Sequence, residues 1–426
     1  MKNSVVFLLM ILVLCSCSDG STGSGDIIST DSIYDISGDA GYDVQGDTGD
    51  KDSGYIPPRT YYKVDKHSVV VKDTPFSEER VKFYYKAEQL ADTDVLKFVN
   101  ADNLYALTKS GLYVYNENLD IFEKSVPEID GITDIGEIRK CDYLIGRTKD
   151  KIILFNSKET KEIDIGTIGE EIVSLYGVSN HYYFATKDSI YEVNLDFSGY
   201  NKVTEFPNIK SIAVDENQNI YAATDKGVYV SEGLSLKIYN SENDNLGDNL
   251  VSSLAFCDDG ALIIATFSGY TIYKDNKFDK FFAKPDGLPM NKSNSADCGN
   301  GIIALGHEIG ATFISLKDGH IDYYLSRRWI MDDKVNDVAI DKNGNRFIAT
   351  SKGISRIYLV ETNLKDKIRY FEELQDNYFW RMDGFVAPDL SSSDEFEIKD
   401  PKVWDSDNDG LWTQMQVAAW CMAYAV

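Results

Sequence analysis

Val335-Asn336-Asp337-Val338-Ala339-Ile340, Asp341-Lys342-Asn343-Gly344-Asn345, Arg346-Phe347-Ile348-Ala349-Thr350 and Gly353-Ile354-Ser355-Arg356-Ile357 form the stretch whose reading decides the fold. The first, third and fourth pieces are short and apolar at alternate or successive positions, which suits strands rather than helices. The second is a cluster of Asp, Asn and Gly, with Gly344 free to take the positive φ of a tight turn. Short turns between strands make the neighbours antiparallel.

The same phrase recurs along the chain. A strand ending in Thr, a short turn and a second strand are found at Asn103–Thr108 with Gly111–Tyr115 and at Leu144–Thr148 with Ile152–Phe155. They return at Tyr183–Thr186 with Ile190–Val193, at Ile220–Thr224 with Gly227–Val230, and at Leu262–Thr266 with Gly269–Tyr273. Ile302–Gly306 is the degenerate copy, with Gly where Thr is expected. Markers at 108, 148, 186, 224, 266, 306 and 350 lie 38 to 44 residues apart. An inner strand precedes each marker, as in Val251–Phe256, and an outer strand follows, as in Lys277–Phe282. Four strands per repeat of about 40 residues is the geometry of a propeller, whose closed ring protects strand edges. The expected fold is all-β, a seven-bladed β-propeller of four-stranded blades over residues 59–362, with six or eight blades as alternatives. Ser68–Val71 and Val81–Tyr85 fall in 61–90, which could hold the outer strand missing from the last blade.

Asp286-Gly287-Leu288-Pro289-Met290-Asn291 and Val335 to Gly353 resemble two-component-regulator propeller repeats over about residues 91–360. The usual Trp of the aromatic strand is replaced by Tyr, Phe or Ile. The resemblance implies an extracytoplasmic sensing or binding module. No kinase follows, so no signalling role is carried over.

Lys2 and the apolar run Val5–Leu14 have the make-up of a secretory signal, too short to span a bilayer. Leu14-Cys15-Ser16-Cys17 resembles a bacterial lipobox, which implies cleavage after residue 16 and acylation of Cys17. Asp19 stands at the third rather than the second mature position, so outer-membrane anchoring is expected. Residues 17–58, rich in Ser, Gly and Asp and closed by Pro57-Pro58, read as a solvated, disordered tether. With 43 Lys+Arg against 69 Asp+Glu, the net charge is −26, which excludes electrostatic binding to nucleic acid. The membrane is a partner only through the lipid.

Residues 363–426 read as a linker and the start of a helical domain. Leu364–Arg381 is mixed or helical, and Leu411–Val426 is a helix apolar on most faces, with Asp409 as its cap. Asp407-Asn408-Asp409-Gly410-Leu411-Trp412-Thr413 and the Ala-rich helix resemble the opening of an (α/α)-toroid domain. That resemblance implies a carbohydrate-active enzyme truncated at Val426. No catalytic residue is assigned; Asp405 and Asp409 are the candidates the tail offers, and a second carboxylate would have to come from elsewhere. Asp405, Asp407 and Asp409 also match the first half of a calcium loop, yet its twelfth position is Gln416 instead of Glu. No metal or other cofactor is therefore expected, Ca²⁺ being the one left open.

His67, His181, His307 and His320 show no ligand spacing and read as surface or strand residues. Cys141, Cys257 and Cys298 fall at the end of the inner strand in their repeats. Cys257 and Cys298 are the candidate disulfide, but adjacent blades are expected to hold them too far apart, so free thiols are expected. Cys421 is expected in a core. The function expected is a membrane-anchored binding, recognition or sensing module that takes a protein, peptide or glycan on one face of the propeller.

Overall fold

The computed structural model describes residues 72–426 apart from 87–88, 234, 382–384, 387–389, 404–408 and 424–426. The signal segment, the tether, Cys17, His67, Asp405 and Asp407 lie outside the described residues. The chain divides into two compact units, Phe76–Thr362 and a second that joins the residues up to Pro75 with Asn363–Val426.

The first unit is a seven-bladed β-propeller. Its opening strand β1 (Phe76–Tyr84) is set aside for the last blade. Blade one is β2 (Val95–Asn100), β3 (Leu104–Thr108), β4 (Gly111–Asn116) and β5 (Ile121–Lys124). Blade two begins with β6 (Asp134–Ile135), which leads into β7 (Glu137–Arg139), and continues with β8 (Leu144–Arg147), β9 (Lys151–Phe155) and β10 (Thr160–Asp164). Blade three is β11 (Ile172–Val178), β12 (His181–Thr186), β13 (Ser189–Val193) and β14 (Tyr200–Glu205). Blade four is β15 (Ser211–Val214), β16 (Ile220–Ala223), β17 (Val228–Glu232) and β18 (Ser235–Tyr239). Blade five is β19 (Val251–Phe256), β20 (Leu262–Thr266), β21 (Tyr270–Lys274) and β22 (Lys277–Phe278). Blade six is β23 (Ser295–Gly299), β24 (Ile302–Gly306), β25 (Ala311–Ser315) and β26 (Ile321–Tyr324). Blade seven is β27 (Val335–Ile340), β28 (Arg346–Thr350), β29 (Gly353–Thr362) and β1.

Packing between blades explains the composition. The second strands are covered on both faces, so β16 and β20 are buried at every residue and are made of Ile, Leu, Tyr, Ala and Thr. The marker Thr has a defined task at the turn. Thr224 Oγ1 donates to Gly227 O at 2.8 Å and accepts from Lys226 N, and Thr108, Thr266 and Thr350 repeat this. Gly227, at φ 114°, has no room for a side chain, because a Cβ would stand 2.1 Å from Tyr239 O on the outer strand. Gly306 breaks the Thr series for a steric reason: a Cβ there would meet Ser295 Oγ at 2.5 Å.

β1 closes the ring by pairing along its length with β29, from Phe76↔Thr362 to Tyr84↔Ile354. Asp120, in the turn between β4 and β5 at φ 54°, clamps this closure. Its carboxylate accepts from Lys82 Nζ at 2.8 Å, Tyr84 OH at 2.5 Å, Tyr115 OH at 2.6 Å and Arg356 at 2.7 Å. These donors belong to both strands of the closing pair and to blade one.

Blade two departs from the repeat. At Gly136 its innermost strand turns aside, and β7 adds in parallel to β11 on the side away from β12. Only Gly permits this approach, since a Cβ would lie 2.5 Å from Leu175 Cβ.

In the second unit, α1 (Leu364–Tyr378) starts at Asn363, whose side chain accepts from Asp366 N at 2.9 Å. α2 (Asp409–Ala423) starts at Asp409, and Val386 N donates to its Thr413 Oγ1. Gln416 is buried, whereas Leu411, Val417, Trp420 and Cys421 are exposed. The expectation of a core position for Cys421 is corrected: it lies on the uncovered side of α2. No helix among the described residues is long and apolar enough to cross a membrane.

Candidate functional site

In each blade the loop into the innermost strand and the turn between the second and third strands lie at the same end. Blades three and four together form a cleft of about 770 Å³ at that end. Glu170, Glu171 and Val173 come from the loop into β11 and its start, Lys187 and Asp188 from the turn after β12. Asn208, Ile209 and Lys210 precede β15, and Asp225 follows β16.

Main-chain and side-chain bonds fix its walls. Ile209 N donates to Lys187 O at 2.7 Å, Asn208 N to Asp188 Oδ1 at 3.1 Å, and Asn208 Nδ2 to Asp225 Oδ2 at 3.4 Å. Asp225 Oδ1 is buried and accepts no hydrogen bond among the described residues. Glu170, Glu171, Lys187 and Lys210 are exposed. The volume falls in the range of small-ligand sites. Two ammonium groups, four carboxylates and the apolar Val173 and Ile209 equip it to hydrogen-bond and pair with a polar, charged ligand.

A second charged group lies where the innermost strands of blades six, seven and one meet β6 and β7. Lys97 Nζ donates to Asp134 Oδ1 at 3.3 Å. Asp337 accepts from Phe98 N at 2.8 Å, and Asp297 accepts from Ile340 N at 2.8 Å, so each carboxylate fastens its blade to the next. Asn100 Nδ2 reaches Asp297 and Ile340 O. Burial raises the Asp337 carboxyl to about 6, against the hydrogen bond from Phe98 and the charge of Lys97. Burial also raises Asp297 and, together with the charges of Asp297 and Asp337, Glu137. Burial alone would lower Lys97, but Asp134, Glu137 and Asp337 outweigh it and raise it. Arg139 Nη2 donates to Cys257 O at 3.0 Å, and its guanidinium lies over the Phe256 ring. Asp297 and Asp337 in this group have a structural task, since each holds a main-chain N–H of the neighbouring blade.

Cys257 and Cys298 form a disulfide, with Cα atoms 4.7 Å apart, which overturns the expectation of free thiols. Both sit at the innermost strands, where blades converge and neighbours come closer than at any other radius. Cys141 remains unpaired, its Sγ 3.5 Å from Arg139 O. His307 is fully buried just past β24, a position the sequence reading missed. Its Nδ1 lies 2.8 Å from Lys292 O and its Nε2 2.8 Å from Thr312 Oγ1, and burial lowers its pKa. His181 lies on β12 beside Glu192, and His320 is exposed beside Asp322. Among the described residues no group of three or more His, Cys, Asp or Glu could hold a metal ion. The structure brings together none of the tail candidates: Asp405 and Asp407 fall outside the described residues and Asp409 opens α2.

No protein-family model matches the chain, and no curated protein matches it. Solved structures do. A streptogramin B lyase aligns with a TM-score of 0.54 at 11% identity, over 66% of this chain and 98% of that one. Virginiamycin B lyase from Staphylococcus aureus aligns with a TM-score of 0.51 at 12% identity, over 66% of this chain and all of the other. At such identities the likeness shows the propeller fold alone.

Proposed function

We propose that this protein is an extracytoplasmic binding module, anchored to a membrane by acylated Cys17 and lifted from it by residues 18–58, which takes a protein, peptide or glycan ligand in the cleft between blades three and four. The cleft carries the reading: Lys187, Lys210, Glu170 and Glu171 line it, are exposed and make no ion pair among the described residues, so they are available to a ligand. The Cys257–Cys298 disulfide supports the address, since such bonds persist in oxidising compartments. Outer-membrane placement rests on Asp19. Screening the purified protein on peptide and glycan arrays tests the cleft. A ligand lost on Lys187→Glu with Lys210→Glu supports it, and binding indifferent to those changes refutes it. Intact mass of the mature protein, with Cys17→Ser as control, tests the anchor.

A second reading makes the chain the N-terminal part of a carbohydrate-active enzyme whose (α/α)-toroid continues past Val426. The exposed Leu411 and Val417 on α2 favour it. Polysaccharide turnover by a longer gene product, lost on Asp409→Ala, is its test.

A further inference from the structure

β18 is the outermost strand of blade four, and it differs from the other outer strands. Its pattern is Ser-Leu-Lys-Ile-Tyr, exposed at every residue but the last. Leu236 is 65% and Ile238 48% exposed. The remaining outer strands are defended in ways known to prevent edge pairing. β22 has two residues, β14 pairs through a register shift, and β10 carries Lys161, Glu162 and Asp164. β5 ends in Glu123-Lys124, and β1 carries Glu78, Glu79, Arg80 and Lys82. β26 is short and no more than half-exposed. β18 has one charge, and Lys237 is already paired with Glu232 at 2.5 Å.

Register adds a second observation. Glu232 pairs with Ser235 across a two-residue turn, followed by Ser231↔Leu236, Val230↔Lys237 and Tyr229↔Ile238. In such a hairpin the pair flanking the turn is hydrogen-bonded, and bonded pairs alternate with unbonded ones. Ser235, Lys237 and Tyr239 therefore bond inward to β17. Leu236 and Ile238 turn their N–H and C=O groups outward, and nothing among the described residues meets them. The residues that expose apolar side chains are the ones that offer main-chain bonds.

We infer that β18 is an acceptor edge for an extended strand of a partner protein, one with an acidic residue flanked by two apolar ones. Main-chain bonds at Leu236 and Ile238 would supply affinity, and the alternating side chains would supply selection. Lys237 weighs against a second copy of this chain in the register that pairs both apolar residues. The symmetric antiparallel register that sets Leu236 against Ile238 of another copy sets Lys237 against itself, at the closest cross-strand approach. A carboxylate in that place matches it, and the half-exposed ion pair with Glu232 gives way at little cost.

A phage-displayed library of random heptapeptides panned on the full chain tests the inference. The expected result is enrichment of apolar–acidic–apolar cores whose synthetic peptides slow amide exchange across residues 235–239. Ile238→Pro should weaken them about tenfold by removing one outward N–H. Leu236→Lys, which leaves the backbone intact, should also weaken them, and Lys237→Glu should shift the enriched centre from acidic to basic. Three results would overturn it: no enrichment over Ile238→Pro, peptides that bind all variants alike, or a dimer in sedimentation equilibrium that Leu236→Lys abolishes. Binding in the cleft is read by separate variants, so either idea can fail alone.

Discussion

The carboxylate of Asp337, on the innermost strand of the seventh blade, accepts a hydrogen bond at 2.8 Å from the main-chain N–H of Phe98 in the first. The bond crosses the seam where the ring closes, and it is made by an acid whose affinity for protons burial has raised.

Asp337→Asn keeps a carbonyl acceptor for Phe98 and removes the titrating group. Asp337 is raised to about 6 in the fold from 3.8, so between these values the native state binds more protons than the unfolded chain. Its contribution is complete below 3.8 and is lost as pH rises through 6. Thermal unfolding from roughly pH 4 to 7.5 should therefore show wild-type Tm falling relative to the variant across that window, with parallel curves above it. Curves parallel throughout would mean that burial does not bear on this acid.

Asp120 should behave in the opposite sense. Burial opposes ionisation, but hydrogen bonds from Lys82, Tyr115 and Tyr84 and the charge of Arg356 hold its pKa at about 2. Its contribution is present above 3.8 and lost as pH falls towards 2. Asp120→Ala leaves Tyr84, Tyr115 and Arg356 without their common acceptor and should cost about 2 kcal/mol, given its partial exposure. Denaturant unfolding measures the loss, and limited proteolysis should now cut within residues 76–84. An uncut strand and an unchanged midpoint would refute the clamp.

The Cys257–Cys298 bond joins blades five and six across 41 residues. A loop of that length corresponds to about 4 kcal/mol in the chain-entropy account, within a measured range of 2–5. Reductant should lower the denaturant midpoint of the wild type and leave the Cys257→Ser, Cys298→Ser double variant unmoved. Non-reducing peptide mapping should recover the linked pair, and two free thiols in exported protein would contradict the structure.

The repeat was legible because Thr108, Thr224, Thr266 and Thr350 do the same local work: each caps a turn using only neighbours in sequence, so the spacing of such residues counts blades directly. Gly306 was legible as a gap but not as a cause, since Ser295 and Val335 exclude a side chain there from other strands. The disulfide was misjudged because distance between blades depends on radius, and a repeat pattern carries no radius. β7 was hidden for a related reason. Asp134-Ile135-Gly136-Glu137-Ile138-Arg139 alternates like any strand, and only contact with Leu175 shows that its second half serves a different blade. The cleft was invisible because its walls come from loops of two repeats that show no common residue.

The way β1 is used sets an order on how the molecule can be made. Tyr84 and Ile354, the nearest partners in the closing pair, are 270 positions apart. A chain delivered from its N-terminus, by ribosome or by export channel, presents β1 before any other strand of the propeller and completes it after all of them. Until β29 emerges, Val81 and Phe83 wait without a mate, and both rims of the growing arc stay open. Such long-range pairing is slow. A nascent chain stalled before Gly353 thus has a strand it cannot use, and at high local density the nearest complement is the seventh blade of another molecule.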